Sequence, residues 1–292
     1  MARNTPTSGP NAAGSEVTKE YYDHGGWKEE GGIVRDLRLF GVREDGPIKQ
    51  AAHSRRMQHL LQKMGAAGAP LNLLECGCGG NPALALLPLC AKYTGIDFSV
   101  AGLEAARTRL SAHSVPFELL EGDICRLPFA DSTFDAVYSA NAIYHISDPD
   151  SQAAAYREAL RVTRPGGVAL FVMANPYPLA FPIRLMRRLA ADTPGLGRML
   201  NAVRPKPLIP YRPMSLRWTR RVLEPFGVVT IDVYAMASTW FVQNVSDHHG
   251  LGKAVWWLIQ LMEERYPRFA GRLANYVQIM VRKDARGSGT PA

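Results

Sequence analysis

The sequence of 292 residues predicts an α/β protein with a doubly wound, mostly parallel sheet and helices on both faces. Seven apolar runs have the length of buried strands, and the first five alternate with segments of helical character. The first run ends in a loop rich in glycine, which is typical of a strand that turns into a helix at the ligand-binding edge of such a sheet. These two observations determine the predicted fold class.

Each predicted element has a local signal. The helix over 48–64 has Met57, Leu60, Leu61 and Met64 on one face, and Ser99 is placed to cap the helix that runs to Leu110. The helix over 82–92 is expected to kink at Pro88. The other predicted helices follow Pro149 and cover 215–223 and 253–262. The predicted strands are 71–75, 93–97, 117–122, 134–141, 168–173, 228–234 and 276–281.

Composition divides the chain into four parts. Residues 1–15 are small and polar and are expected to be a disordered tail, as are residues 284–292. Residues 16–66 mix aromatic and polar residues and form an N-terminal helical cap. The main domain covers 67–283, and its insertion at 176–213 holds eight prolines after the fifth strand. We expect this insertion to lie over the strand ends as a lid.

Charge and cysteine content limit the function. The net charge is +8, and residues 176–221 contain ten Arg or Lys against one acid, Asp192. Such a cluster serves an anionic substrate, a lipid surface or nucleic acid, or is simply a solvated face. The four cysteines are expected to be free thiols. No run is apolar enough to span a membrane and no signal region is visible, so a cytoplasmic protein is expected.

A metal site is not predicted. Neighbouring side chains point apart in an extended chain, and no third ligand has a suitable spacing to the run Asp247-His248-His249. A surface loop explains this run better.

The glycine loop after the first strand separates two kinds of ligand. A dinucleotide loop would need its third glycine where Pro82 stands. As an acidic-x-Gly-x-Gly-x-Gly pattern, the loop supplies Glu75, Gly77 and Gly79, with Asn81 in the last position. Asn81 tolerates a left-handed φ and would cap a helix whose first residue is Pro82. A glycine turn that serves only packing remains the alternative.

At this point the sequence resembles the class I methyltransferases that use S-adenosylmethionine. The resemblance covers about residues 70–175 and consists of five motifs in order. They are Glu75-Cys76-Gly77-Cys78-Gly79, Gly95-Ile96-Asp97-Phe98-Ser99, Gly122-Asp123-Ile124 followed by Leu127-Pro128-Phe129, Phe134-Asp135-Ala136-Val137, and Arg164-Pro165-Gly166-Gly167.

The resemblance implies a Rossmann-like fold and S-adenosylmethionine as cofactor. It implies that Gly77 and Gly79 face the methionine part, and that Asp97 takes the two ribose hydroxyls. Asp97 also ends the second strand 22 positions after Glu75, which is a typical spacing for a ribose-binding acid. The resemblance further assigns the adenine to Asp123 with Ile124. Glu75, Cys78, Phe98 and Asn141 complete the candidate cofactor-binding set.

Methyl transfer depends mostly on positioning, and a base is needed only if the acceptor must lose a proton. His145, just after the fourth strand, is the candidate base and Tyr144 the second candidate; packing is the alternative for both. The candidate substrate contacts are aromatic residues that form either a pocket or part of the core. They are Tyr21, Tyr22, Trp27, Tyr177 and Trp240.

The predicted function is methylation of an oxygen, nitrogen or carbon atom of a small organic molecule. Apolar residues in the insertion beside Arg184, Arg187 and Arg188 favour a molecule with an apolar body and disfavour nucleic acid. One alternative is a methyltransferase-like module that uses the basic insertion on a lipid surface or nucleic acid. A nicotinamide-dependent oxidoreductase is the less favoured alternative. Whether the chain forms a homodimer is left open.

Overall fold

The computed structural model describes residues 12–27, 29–30, 33–34, 47–65, 70–179, 209, 211–237 and 250–285. A seven-stranded sheet forms its centre, with its strands in the order β5 (Phe117–Glu121), β4 (Cys90–Asp97), β3 (Leu71–Cys76), β6 (Phe134–Ala140), β7 (Thr163–Ala174), β9 (Tyr276–Lys283) and β8 (Gly227–Ala235). Strand β9 is antiparallel to both neighbours, and the other neighbouring pairs are parallel. The prediction of a doubly wound, mostly parallel, Rossmann-like sheet of seven strands is confirmed.

The strands of the large sheet occur along the chain in the predicted order. Strands β1 Glu29–Glu30 and β2 Ile33–Val34 pair separately. The helices are α1 Ala12–Tyr21, α2 Pro47–Gly65, α3 Val100–Leu110, α4 Pro149–Val162, α5 Leu216–Leu223, α6 Gly250–Arg265 and α7 Pro267–Leu273.

The two faces of the sheet are covered by different helices. On one face, Leu60 and Met64 of α2 and Leu110 of α3 are buried against the sheet. On the other face, Tyr156 and Leu160 of α4 are buried together with residues of α5 and α7. The predicted helix face of α2 therefore points into the core. Burial of each such side chain stabilises the fold by about 2 kcal/mol.

The segment between β3 and β4 differs from the prediction. In place of a helix over 82–92, a 3-10 helix covers Leu84–Leu89 and β4 begins at Cys90. Pro88 within this stretch has no N–H for the helical ladder, which explains the short element. The predicted roles of Asn81 are also wrong. Its φ is not positive, and its Oδ1 accepts a hydrogen bond from Arg109 instead of capping a helix.

The cap and the tails are described only in part. Helix α1 begins at Ala12, so residues 12–15 of the predicted disordered tail are helical here. A π-helical turn, Tyr22–Gly26, continues it. None of the helices in the described ranges is long and apolar enough to cross a bilayer. The described residues do not include 1–11, 180–208, 210, 238–249 and 286–292. Most of the insertion, Trp240 and the run Asp247-His248-His249 therefore lie outside the described residues.

Candidate active site

The candidate site lies where the chain order of the sheet reverses, between the carboxyl ends of β3 and β6. The glycine loop, residues 77–80, follows β3. The N–H of Gly77 donates to the carbonyl of Ile96 in β4 at 2.8 Å. Gly77 has a φ of +73°, and a β-carbon there would lie 2.3 Å from Cβ of Ala142, just after β6. Only glycine permits this close approach of the two strand ends.

Trp27 lies against the same loop. A β-carbon on Gly79, whose φ is +48°, would come within 2.3 Å of the indole, and one on Gly80 within 2.7 Å. On Gly102, in the first turn of α3, it would lie 2.8 Å from Nε1 of the indole. The indole therefore fills a groove formed by three glycines. Its Nε1 is buried and has no hydrogen-bond partner among the described residues.

Asp97, at the end of β4, joins the glycine loop to α3. Its Oδ2 accepts from the N–H of Gly79 at 2.8 Å and its Oδ1 from the N–H of Ser99 at 2.9 Å. The side chain of Ser99 in turn caps α3, as predicted, by accepting from the N–H of Gly102 at 3.1 Å. Burial raises the pKa of Asp97, and the two backbone donors oppose that shift. Each carboxylate oxygen has a further lone pair for a hydroxyl donor.

The carboxyl group of Glu75 accepts hydrogen bonds from two other residues of the protein. Its Oε2 accepts from the N–H of Ala83 at 2.9 Å and from the hydroxyl of Tyr93 at 2.7 Å. The residue is buried, and this burial raises the pKa of its carboxyl group to about 7. Glu75 thus closes the segment after the glycine loop against β4. The neighbouring Cys78 is also buried, and burial raises the pKa of its thiol.

The N-terminal segment, residues 12–27, covers this part of the site. Lys19 donates to the carbonyl of Phe98 and lies over its ring at 5.8 Å from the centroid. Tyr22 stacks on Trp27 at 5.1 Å and contacts Phe98 edge-on at 6.4 Å; Tyr21 packs on Tyr22 at 5.1 Å. Three of the candidate substrate residues therefore lie beside the candidate cofactor residues.

Two contacts of this segment were missed by the sequence analysis. Asp23 accepts from the hydroxyl of Ser99 at 2.8 Å, and Lys19 forms an ion pair with Asp23 at 3.3 Å. The spacing of Lys19 and Asp23 by four residues in a helical segment is the local signal that could have indicated the ion pair. No local signal indicates Ser99 as the partner of Asp23.

Asp123 and Ile124 follow β5. The Oδ1 of Asp123 accepts from the N–H of Cys125 at 2.8 Å and so stabilises a tight turn, while the carboxylate remains exposed. Ile124 is partly buried and packs against the core on the side of α4. The structure thus gives Asp123 an exposed acceptor at the strand end.

The turn after β6 brings the candidate catalytic residues together. Asn141 has a φ of +58°, and its Oδ1 accepts from the hydroxyl of Tyr144 at 3.1 Å. Tyr144 and His145 belong to a 3-10 turn, Ile143–His145, with their rings 4.7 Å apart. Tyr144 is buried, whereas His145 is half-buried.

Both ends of the insertion lie at this edge of the sheet. At its end, the N–H of Arg212 donates to the carbonyl of Tyr144 at 2.7 Å, and Nε2 of the buried Gln152 donates to the carbonyl of Arg212 at 2.8 Å. At its start, the N–H of Leu179 donates to the carbonyl of Leu273 at 2.8 Å, and Tyr177 is exposed. The chain of the insertion therefore returns directly onto the turn that holds the candidate base.

Residues 74–171 match a family model described as a methyltransferase domain. We call this part of the chain, residues 74–171, the methyltransferase domain. The match includes the glycine loop, Asp97 and the turn with His145. It does not include the N-terminal segment.

This chain is similar over about half of its length to two curated relatives. It is 32% identical over 166 residues to the fatty-acid O-methyltransferase of Mycolicibacterium smegmatis, covering 53% of this chain and 57% of that protein. It is 28% identical over 156 residues to the sterol 24-C-methyltransferase of Aspergillus fumigatus, covering 52% of this chain and 40% of that protein. The chain spans about half the length of these relatives.

A solved structure shares the fold of this chain. The N-methyltransferase NodS from Bradyrhizobium japonicum, in complex with S-adenosyl-L-homocysteine, aligns with a TM-score of 0.52. The alignment covers 85% of this chain and 97% of that chain at 16% identity. At this level of identity the likeness concerns the fold alone.

Proposed function

We propose that this protein transfers the methyl group of S-adenosylmethionine to an oxygen, nitrogen or carbon atom of a small organic molecule with an apolar body. The observation that carries the proposal is the environment of Asp97. Asp97 is the last residue of β4 and lies beside the glycine loop, and each of its carboxylate oxygens accepts a hydrogen bond from one backbone N–H. The two remaining acceptor positions suit the two hydroxyls of a ribose.

The other residues of the site fit the same cofactor. The bound cofactor would supply a methyl group on a sulfonium, which is a good leaving group. Phe98 and Ile124 offer apolar contact on the side of β4 and β5, and the exposed Asp123 offers an acceptor for an amino group. Glu75 is assigned a different role from the one first expected. With its bonds to Ala83 and Tyr93, it shapes the glycine loop instead of contacting the cofactor.

The turn after β6 would position the acceptor. His145 is half-buried beside Tyr144, so its imidazole can take a proton from an acceptor that must lose one. The hydroxyl of Tyr144 donates to Oδ1 of Asn141, and its backbone carbonyl accepts from the N–H of Arg212. Tyr144 is therefore proposed as a positioning residue for the turn.

The class of acceptor is inferred from two sources. The relatives named for a fatty acid and a sterol act on molecules with large apolar bodies. In this chain, Leu179 is 65% exposed at the start of the insertion, close to the carboxyl end of β7. An exposed leucine at this edge supports an acceptor with an apolar body.

Calorimetric titration tests the cofactor. We expect binding of S-adenosylhomocysteine and none of NAD. Binding of NAD alone would support an oxidoreductase, and binding of neither would support a module with a vestigial site. Mass spectrometry after incubation with S-adenosylmethionine and either a long-chain fatty acid or a sterol then tests the acceptor. A mass increase of one methyl group in either compound would support the proposed class, and its absence in a wider panel of apolar acceptors would contradict it.

A further inference from the structure

Helix α6 has apolar residues on two opposite faces. Trp256 points inward and is 6% exposed. The next residue, Trp257, is 66% exposed, and Leu258 and Leu261 are 51% and 43% exposed. With Ala254 they form a stripe at i, i+3, i+4 and i+7, which is one continuous side of a helix. We call these four residues the outer face of α6.

Further exposed apolar residues lie on α6 and after it in the chain. Val255 adjoins the outer face, and Tyr266 and Phe269, at and after the junction with α7, are 60% and 53% exposed. Single exposed apolar residues are common on soluble proteins, but several at helical spacing on one side of a helix, with a tryptophan among them, mark an interaction surface.

Exposed basic residues lie on the same two helices. Lys253, Arg265, Arg268 and Arg272 are exposed on α6 and α7. The two acids of the same helices are occupied elsewhere. Glu264 forms an ion pair with Arg55 of α2 at 3.5 Å, and Oε1 of Glu263 accepts from the N–H of Met236 at 2.7 Å. The charge that this surface presents is therefore positive.

We propose that the outer face of α6 docks on an anionic lipid bilayer. A helix with an apolar stripe, a tryptophan and a basic border inserts its stripe at the level of the headgroups, while the basic side chains contact anionic lipids. Tryptophan is favoured at this depth because its ring has an apolar body and a polar N–H. A second copy of the chain fits less well, since a two-fold interface would bring the basic borders together.

Co-sedimentation with vesicles tests this docking without any activity measurement, so its outcome is independent of the proposed methyl transfer. The full chain is mixed with vesicles of phosphatidylcholine, or of phosphatidylcholine with phosphatidylserine. We expect sedimentation with the anionic vesicles and much less with the neutral ones. The variant with Trp257→Gln and Leu261→Gln should bind the anionic vesicles at least about tenfold more weakly.

Two controls separate the outer face from general effects. Val228→Gln replaces a residue that is 66% exposed on β8, outside the outer face, and should bind like the wild type. Arg265→Gln with Arg268→Gln should reduce the preference for anionic vesicles, whereas Arg107→Gln on α3 should leave it unchanged. Circular dichroism confirms that each variant is folded.

Three results would overturn the proposal. The first is a wild-type protein that sediments with neither kind of vesicle. The second is equal vesicle binding by the Trp257 and Leu261 variant and the wild type. The third is a wild-type dimer in analytical ultracentrifugation that the same variant converts to a monomer, because the outer face would then be an interface between two copies.

Discussion

The indole of Trp27 lies so close to Gly79 that a β-carbon on Gly79 would come within 2.3 Å of its Cζ2 atom. The amide of the same glycine is held by Asp97, so the conformation of the glycine loop depends on both the N-terminal segment and β4. Trp27 is therefore part of the wall of the candidate cofactor site. The N-terminal segment and the glycine loop therefore pack together at this point.

Gly79→Ala should destabilise the protein more than Gly166→Ala. Both positions have positive φ, but a β-carbon on Gly166 would meet nothing within 4 Å. The change at Gly166 therefore has only the backbone cost of about 1 kcal/mol. At Gly79 the cost of displacing the indole of Trp27 is added. Urea unfolding of the two variants measures the difference between their unfolding free energies.

A double-mutant cycle tests whether Trp27 causes the larger loss of stability in Gly79→Ala. In a Trp27→Ala background, the extra cost of Gly79→Ala should disappear, since the alanine in place of Trp27 leaves room for the new methyl group. An unchanged excess in that background would mean that another part of the loop causes it.

Asp97→Ala should weaken the binding of S-adenosylhomocysteine by at least about tenfold, because two hydrogen bonds to a charged group are lost. Ser99→Ala is the matched control. It removes the cap of α3 and the bond to Asp23 but leaves the carboxylate of Asp97 in place. If Ser99→Ala weakens binding equally, the carboxylate acts by shaping the loop and the proposed contact with the ribose is wrong. Calorimetry measures both affinities.

His145→Ala should lower kcat and leave the affinity for S-adenosylhomocysteine nearly unchanged. The wild-type rate should rise with pH through an apparent pKa that the variant lacks, because a base must be neutral to accept a proton. His113→Ala, an exposed histidine just after α3, is the control and should retain both the rate and the pH profile. Full turnover of His145→Ala would leave positioning as the only contribution of this turn.

Glu75 should make the folded protein less stable as the pH rises. Its pKa is about 7 in the folded protein, above the value of 4.5 for an unperturbed glutamate, so the folded state binds the proton more tightly than the unfolded state. The associated stability is complete below about pH 4.5 and is lost as the pH rises to about 7 and above.

Glu75→Gln tests this pH dependence. Both hydrogen bonds go to the same oxygen, Oε2, and a glutamine carbonyl can accept both. Relative to the variant, the wild type should lose up to about 3 kcal/mol of unfolding free energy between about pH 4.5 and about pH 8. If the unfolding free energies of the two proteins change equally with pH across this range, the pKa of the Glu75 carboxyl group is not raised as described.

Much of the fold could be predicted because hydrophobic periodicity is a local property of the chain. The strands, the helix capped by Ser99 and the apolar faces of α2 and α3 follow from residues a few positions apart. The acid at the end of β4 and the glycines after β3 could be found for the same reason, since a parallel sheet places its strand ends at one edge. The segment after Pro82 was mispredicted because helical composition did not overcome the prolines.

Other features depend on contacts between distant parts of the chain. The sequence by itself determined the order of the strands along the chain, the position of the glycine loop after β3 and the resemblance of residues 74–171 to a methyltransferase domain. Only the tertiary structure decided that Glu75 bonds to Tyr93, that Trp27 fills the groove of Gly79, Gly80 and Gly102, and that α6 exposes Trp257 while it buries Trp256. The physical reason is that packing selects which of several equivalent aromatic or acidic side chains is buried, and packing partners are not encoded in local spacing.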